Sequence, residues 1–302
     1  MTTYLSGTVQ VSVPATSANL GPGFDSLGLA LGLRDTVTVE TIASGLEVCV
    51  RGAGQGAVPL TARHLVHRAM VRAFAAMDCA TPPLRLLCDN QIPHSRGLGS
   101  SSAAIISGLC AARGLVAGGS LLLDDDALFA LAVEMEGHPD NVAPALFGGF
   151  TVAYEHEHRH RRVKLAVDPR IHVVVFVPPD PVQTRVARGL LPLTVPHVDA
   201  AVSSGRAALL VAALTGRPEL LLAATEDRLH QDYREPAMPE TLRFMRALRA
   251  RGVPAVVSGA GPSVLAFVSA ADEAQVQALC PAGWRALPLP VEPVGAVVRL
   301  PS

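Results

Sequence analysis

The chain has a single lysine, Lys164, among 302 residues. That scarcity excludes two common ways of holding a nucleoside triphosphate. A Walker A loop needs a lysine after its second glycine, and a protein kinase needs one on the strand that follows its Gly-rich loop. Lys164 follows neither kind of loop. Aromatic residues are only 4% of the chain, and the formal net charge is -1 with both signs mixed along it. A nucleic-acid partner is therefore not expected, since single strands are gripped by aromatics interleaved with a basic stripe. Apolar runs of transmembrane length are missing and no segment near Met1 has the form of a signal peptide, so no membrane partner is expected either. The five cysteines, Cys49, Cys79, Cys88, Cys110 and Cys280, are odd in number and form no CxxC. They read mostly as small buried hydrophobes and fit a reducing, cytoplasmic setting.

What is present is a long, apolar chain, 49% hydrophobic, with room for two domains and buried cores. Thr8–Val13, Asp35–Ile42, Leu46–Arg51 and Leu84–Cys88 read as strands, and Pro14–Asp25 as a loop by its Pro, Asn and Gly content. Arg51–Leu60 is a Gly-rich turn without a dinucleotide-binding fingerprint. Ala62–Met77 has helical spacing, and Asp124 caps a predicted helix running to about Glu136. Gly148–Tyr154 and Val163–Val167 read as strands around a solvated tip, Glu155–Arg162, where the alternating His156, His158 and His160 are not expected to bind metal. Further on, His172–Val177, Val253–Ser258, Ser263–Val268 and Val294–Leu300 read as strands. Asp199–Leu214, Glu219–Thr225, Pro239–Arg251 and Asp272–Leu279 read as helices. Mixed strands and helices with antiparallel hairpins argue for an α+β fold.

The most informative stretch is Gln91–Ala104, QIPHSRGLGSSSAA. Gly97, Gly99 and the run Ser100, Ser101 and Ser102 stand directly before an Ala-rich apolar segment, which predicts a Gly-rich loop opening a helix that ends near Gly114. Unsatisfied N–H groups and a partial positive charge at a helix start suit phosphate, and glycines let the backbone come close to it. Gly and Ser are also ordinary turn and cap residues, so other blocks must support the reading. Val11–Leu31 (VSVPATSANLGPGFDSLGLAL), Val133–Phe150 (VEMEGHPDNVAPALFGGF) and Ala255–Val268 (AVVSGAGPSVLAFV) do so. Together, and in this order, these blocks resemble the GHMP family of small-molecule kinases. Within it they resemble the branch that phosphorylates the side-chain hydroxyl of L-homoserine on the route to threonine.

The resemblance implies a ribosomal-S5-like N-terminal domain with a left-handed βαβ unit, a ferredoxin-like C-terminal domain, and a homodimer. The boundary is placed near Val167, giving 1–167 and 168–302. It implies ATP and Mg2+ as cofactors. The phosphates would lie against Pro93, His94, Ser95, Arg96, Gly97, Leu98, Gly99, Ser100, Ser101, Ser102 and Ala103. A hydroxyl, from Ser100 or Ser101, would reach Mg2+. Glu134 would supply the carboxylate, with Glu136 as its competitor, because a spacing of two puts them on different helix faces. Asn141 would position the acceptor hydroxyl, and Asp140 is the candidate base. Asp25 would pair the acceptor's ammonium, with Asn19 orienting it and His138 nearby. Arg188 would hold its carboxylate. A second family arginine is replaced here by Met238, in EPAM, so Arg234 is the substitute. Gly259, in SGAGPS, would face the substrate. Two other readings stand beside this one: a kinase of the same family for another small alcohol, and a non-catalytic ligand sensor.

Overall fold

The computed structural model describes residues 3–300. Six strands of its first sheet come from the chain up to Leu165: β1 (Thr8–Ala18), β2 (Leu27–Thr41), β3 (Leu46–Gly52), β4 (Leu84–Asn90), β5 (Phe150–His156) and β6 (Arg159–Leu165). The second sheet contains β7 (His172–Val177), β8 (Ala255–Val257), β9 (Val264–Val268) and β10 (Arg285–Leu289). A last strand, β11 (Val297–Arg299), returns to the first sheet and pairs with β1. The helices are α1 (Leu65–Ala76), α2 (Ser100–Leu115), α3 (Gly119–Leu122), α4 (Asp125–Glu136), α5 (Pro139–Phe147), α6 (Thr184–Gly189), α7 (His197–Gly216), α8 (Leu221–Ala224), α9 (Pro239–Ala250) and α10 (Glu273–Gln277).

In the first sheet β3 and β4 run parallel and are joined through α1, while the other pairs are antiparallel. The second sheet has the order β10-β7-β9-β8. With α6–α9 between β7 and β8, and α10 between β9 and β10, this is the βαββαβ pattern of a ferredoxin-like unit. The chain leaves the first sheet at Leu165 and enters the second at His172, but β11 lies outside the second sheet. The segment assigned to 168–302 therefore contributes a strand to the other unit.

Three elements differ from the sequence expectation in ways that build the site. β1 alternates through Val9, Val11 and Val13, all fully buried, and then runs on through Ala18 with both faces covered. Pro14 and the small polar residues after it suggest a loop, yet a register shift between Pro14 and Ala15 carries the strand past the proline. β2 begins at Leu27, well before Asp35, and pairs β5 with its first part and β4 with its second. Its Gly28 accepts the close approach of α5, where a Cβ would stand 1.9 Å from the Asp140 carbonyl oxygen. HPDN, loop-like by its Pro, Asp and Asn content, opens α5 itself, with Pro139 in the first turn, where a missing N–H costs nothing. The Glu155–Arg162 tip is tighter than expected: β5 and β6 are joined at Glu157 and His158, both left-handed.

Candidate active site

α2 starts from Gly99, which has a left-handed backbone (φ 69°) and gives the helix no side-chain cap. Its first-turn N–H groups are therefore available to a ligand. A Cβ on Gly99 would stand 1.9 Å from Thr16 Oγ1, and one on Gly97 would stand 2.2 Å from the Ser258 carbonyl oxygen. The loop is thus threaded between β1 and the Ser258–Ser263 turn, so tightly that glycine is required at both positions. Ser258 Oγ donates to the Gly97 carbonyl at 2.6 Å and lies 2.8 Å from Ser17 Oγ.

Beside this loop is a cavity of about 160 Å³. It is well below the roughly 300–1,000 Å³ of a drug-sized pocket, so it suits a small acceptor. Its walls include Ser95 and Gly97 to Ser101 from the loop, Glu136 from the end of α4, and His138, Asp140 and Asn141 from the start of α5. Asn19 completes the N-terminal side, and Thr184, Arg188, Arg234, Gly259 and Ala260 close it from the C-terminal half. Residues far apart in sequence are thereby gathered at the junction of the two sheets.

Several sequence-predicted residues have tasks other than the expected ones. Glu134 points away from the cavity and pairs with Arg72 at 2.5 Å. Glu136 is the carboxylate at the loop, accepting from Ser101 Oγ at 2.6 Å. Asp140 is only 1% exposed, and its Oδ1 is committed to His138 Nδ1 (2.5 Å) and to the Asn141 N–H (2.9 Å). Asn141 Oδ1 accepts from Thr16 Oγ1 at 2.7 Å, which leaves Nδ2 as its donor for a ligand. Asn19 spends both polar atoms on bracing: Nδ2 donates to the Gly259 carbonyl (2.9 Å) and Oδ1 accepts from the Asp25 N–H (3.0 Å).

Of the predicted phosphate loop, Arg96 turns to the C-terminal half and donates to the carbonyls of Pro178 and Pro179. Ser102 and Ala103 are buried within α2. Pro93 does not line the cavity, and His94 lines a second one next to it.

Arg188 and Asp25 form a two-point ion pair, Nη2 to Oδ1 at 2.5 Å and Nη1 to Oδ2 at 3.2 Å. Arg234, on the 3-10 turn Asp232–Ala237, is 1% exposed and donates to the Gly259 carbonyl at 2.8 Å. Met238, at the position of the family's second arginine, is buried and packs against Gly261, so Arg234 is the second guanidinium at the cavity. Burial, with the Arg188 charge beside it, brings the Arg234 pKa down to about 10. Burial alone would lower His138, but the hydrogen bond and charge of Asp140 outweigh it and the net shift is upward.

The adjoining cavity, about 210 Å³, shares Ser95, Ser100 and Ser101 with the first. Val37, Val58, Leu65 and Val66 make it apolar, and Asp35, His64 and Ser107 give it polar points. His64 Nδ1 and Ser107 Oγ are buried with no hydrogen-bond partner among the described residues. Burial, with the nearby His67 and His94, lowers the His64 pKa. A larger groove of about 910 Å³, between Lys164–Ile171 and Pro288–Pro293, contains none of these residues.

Thr16, Thr184 and His64 were not legible as site residues. Thr16 is hidden by its place within a buried strand, and the other two carry no local pattern.

The models for the GHMP kinases N terminal domain and the GHMP kinases C terminal domain match residues 64–149 and 206–284. The homoserine kinase of Streptomyces coelicolor is 53% identical, over 98% of this chain and 96% of its own length. The chain belongs to the GHMP kinase family. The homoserine kinase of Clavibacter michiganensis shares 53% identity with this GHMP kinase, over 97% of this chain and 94% of its own length. Among solved structures, a homoserine kinase from Cytophaga hutchinsonii superposes on this GHMP kinase with a TM-score of 0.83. It is 25% identical and covers 98% of this chain and 100% of its own. A putative homoserine kinase from Listeria monocytogenes superposes with a TM-score of 0.78 at 30% identity, covering 97% and 100%.

Proposed function

We propose that this GHMP kinase transfers the γ-phosphoryl group of ATP to the side-chain hydroxyl of L-homoserine, forming O-phospho-L-homoserine for threonine biosynthesis. The observation that carries this reading is the joining of unlike features in one small cavity. A glycine-lined helix start lies on one side, and two guanidiniums, Arg188 and Arg234, lie on another, with the Asp25 carboxylate held on Arg188. The first suits a phosphate. The second suits the charged ends of an amino acid. The names of the relatives given above point the same way.

In this reading the phosphates lie against the N–H groups of Gly97 to Ser101, and the base of the nucleotide enters the adjoining apolar cavity. Ser101 and Glu136 fit a Mg2+ site, because their oxygens are 2.6 Å apart at the phosphate loop. Ser100, next to them, offers a further hydroxyl. No cluster of three or more His, Cys, Asp or Glu occurs among the described residues, which suits a metal held by few protein ligands plus phosphate oxygens. When bound, Mg2+ supplies neutralisation of charge on those oxygens. Asn141 Nδ2 donates to the acceptor hydroxyl oxygen and fixes its place. Asp140 orients His138 and Asn141 and is too enclosed to receive the proton. A loose transition state lets proton removal lag, so the hydroxyl proton passes to an oxygen of the transferred phosphate and no strong base is required. Arg188 and Arg234 hold the acceptor carboxylate, and Asp25 its ammonium.

The test is ADP release from purified protein with MgATP and L-homoserine, L-serine, L-threonine, mevalonate or no acceptor. Release dependent on L-homoserine is expected. Release with another alcohol replaces the substrate, and none with any acceptor, from protein that binds ATP, leaves a sensor. The same reading implies a cytoplasmic homodimer. The outer face of α7, where Ala201, Ala208 and Ala212 are exposed, supports a second copy as partner.

A further inference from the structure

Asp25 and Arg188, assigned to opposite ends of the acceptor, hold each other in this structure. Both side chains are about one-third exposed, 36% for Asp25 and 33% for Arg188, so a ligand can reach the pair. Asp25 is fixed independently of the arginine. Its backbone is left-handed (φ 55°), and its N–H donates to Asn19 Oδ1, while Asn19 is itself anchored to the Gly259 carbonyl. Arg188 is the freer partner: it stands on α6, a helix of six residues that buries only Ala187. A second cation, Arg234, is buried next to them, with Nη1 on the Gly259 carbonyl and Nε unpartnered among the described residues. Two guanidiniums and the Asp25 carboxylate thus meet in this corner, and the Asp227 and Asp140 carboxylates also act on Arg234.

We infer that the Asp25–Arg188 pair acts as a zwitterion lock, opened at no net loss only by an acceptor that carries both a carboxylate and an ammonium. The inference rests on the reading of the cavity as an amino-alcohol acceptor site. A carboxylate without an ammonium takes Arg188 and leaves Asp25 uncompensated. An ammonium without a carboxylate takes Asp25 and leaves Arg188 facing Arg234. Removing one partner from a partly desolvated ion pair is costly because the other charge stays behind. With both ends present, the acceptor carboxylate replaces Asp25 on Arg188 and the ammonium replaces Arg188 on Asp25. Charges then alternate and each keeps a partner. Selection for an α-amino acid thus comes from a penalty on incomplete ligands as well as from new contacts.

The experiment compares three alcohols on wild type, Asp25→Asn and Arg188→Gln: L-homoserine, 4-hydroxybutyrate (no ammonium) and L-homoserinol (no carboxylate). The readout is kcat/KM, or the competition constant against L-homoserine where turnover is too slow. Wild type is expected to disfavour both analogues. In Asp25→Asn the preference for L-homoserine over 4-hydroxybutyrate should shrink by about tenfold or more, because Arg188 is released without a stranded partner. In Arg188→Gln the preference over L-homoserinol should shrink likewise. A variant that lowers L-homoserine and its matched analogue by the same factor, leaving the ratio unchanged, overturns the lock. ATP binding and thermal melting without acceptor establish that each variant is folded. If Asp25→Asn is not, Arg188→Gln with L-homoserinol decides alone. Should wild type fail to phosphorylate L-homoserine, the substrate reading fails; should it succeed with unchanged ratios in the variants, only the lock does.

Discussion

Glu134 and Glu136 sit two residues apart near the end of α4, and a helix sends such neighbours to different faces. One faces Arg72 in solvent and the other faces the phosphate loop. Glu134→Ala is accordingly expected to keep near-full turnover, with a stability change within the ~0–1 kcal/mol of an exposed ion pair. Glu136→Ala is expected to cut magnesium-dependent kcat at least tenfold with little change in melting temperature. Titrating activity against Mg2+ in both variants checks the pair. Gly99→Ala meets two penalties at once, a left-handed backbone and a Cβ 1.9 Å from Thr16 Oγ1. It should abolish detectable ATP binding by calorimetry, and a lowered melting temperature should accompany the loss.

At the scale of elements, the loops proved more ordered than their composition suggests. Pro14–Ala18 and HPDN are rich in Pro, Asn, Ser and Asp, so local propensity reads them as turns. Burial between β2, α2 and α5 overrides that preference. The apolar strands and the capped helix at Asp124 were legible because periodicity and capping are local signals. Which of Glu134 and Glu136 faces the glycine loop, and that Asn19 bonds to Gly259 and Asp25, depend on contacts between distant segments that no local pattern encodes. Gly28 marks one such contact. Gly28→Ala should push α5 off β2, costing roughly 1–3 kcal/mol of stability. It should also reduce kcat through displacement of Asn141, which denaturant melts and steady-state kinetics would separate.

Asp35 on β2 ties the strand to the segment before the phosphate loop through the N–H groups of Gln91 and Ile92. Burial raises its pKa from 3.8 to about 6, against the lowering effect of those two bonds. The folded chain thus holds the proton to higher pH than the unfolded one. The contribution is fully stabilising below pH 3.8 and is lost as pH rises through about 6. The difference in stability between wild type and Asp35→Asn should therefore change between pH 4 and 7, by an amount of order 3 kcal/mol, in urea melts across that range.

For the whole molecule, the decisive feature is that the cavity at the start of α2 belongs to neither sheet alone. The phosphate loop and α5 come from one side, and α6, the Arg234 turn and the Ser258–Ser263 turn from the other. α7 is the one helix among the described residues long and apolar enough to cross a membrane, yet its Leu210, Ala213 and Leu214 are buried against the protein. Its exposed alanines are expected to meet those of a second copy. Light scattering should then give about twice the 31.5 kDa of one chain. Ala208→Glu should shift the mass toward the single chain.

The pairing of β11 with β1 joins Val11 to Val298. During synthesis the first strand therefore waits for a partner that emerges about 280 residues later. At roughly 5–20 residues per second, the edge of β1 stays uncovered for some tens of seconds on the ribosome. That exposed edge can pair with a neighbouring nascent chain. Slow elongation between the two strands would lengthen the interval, and the yield of native enzyme should fall with it.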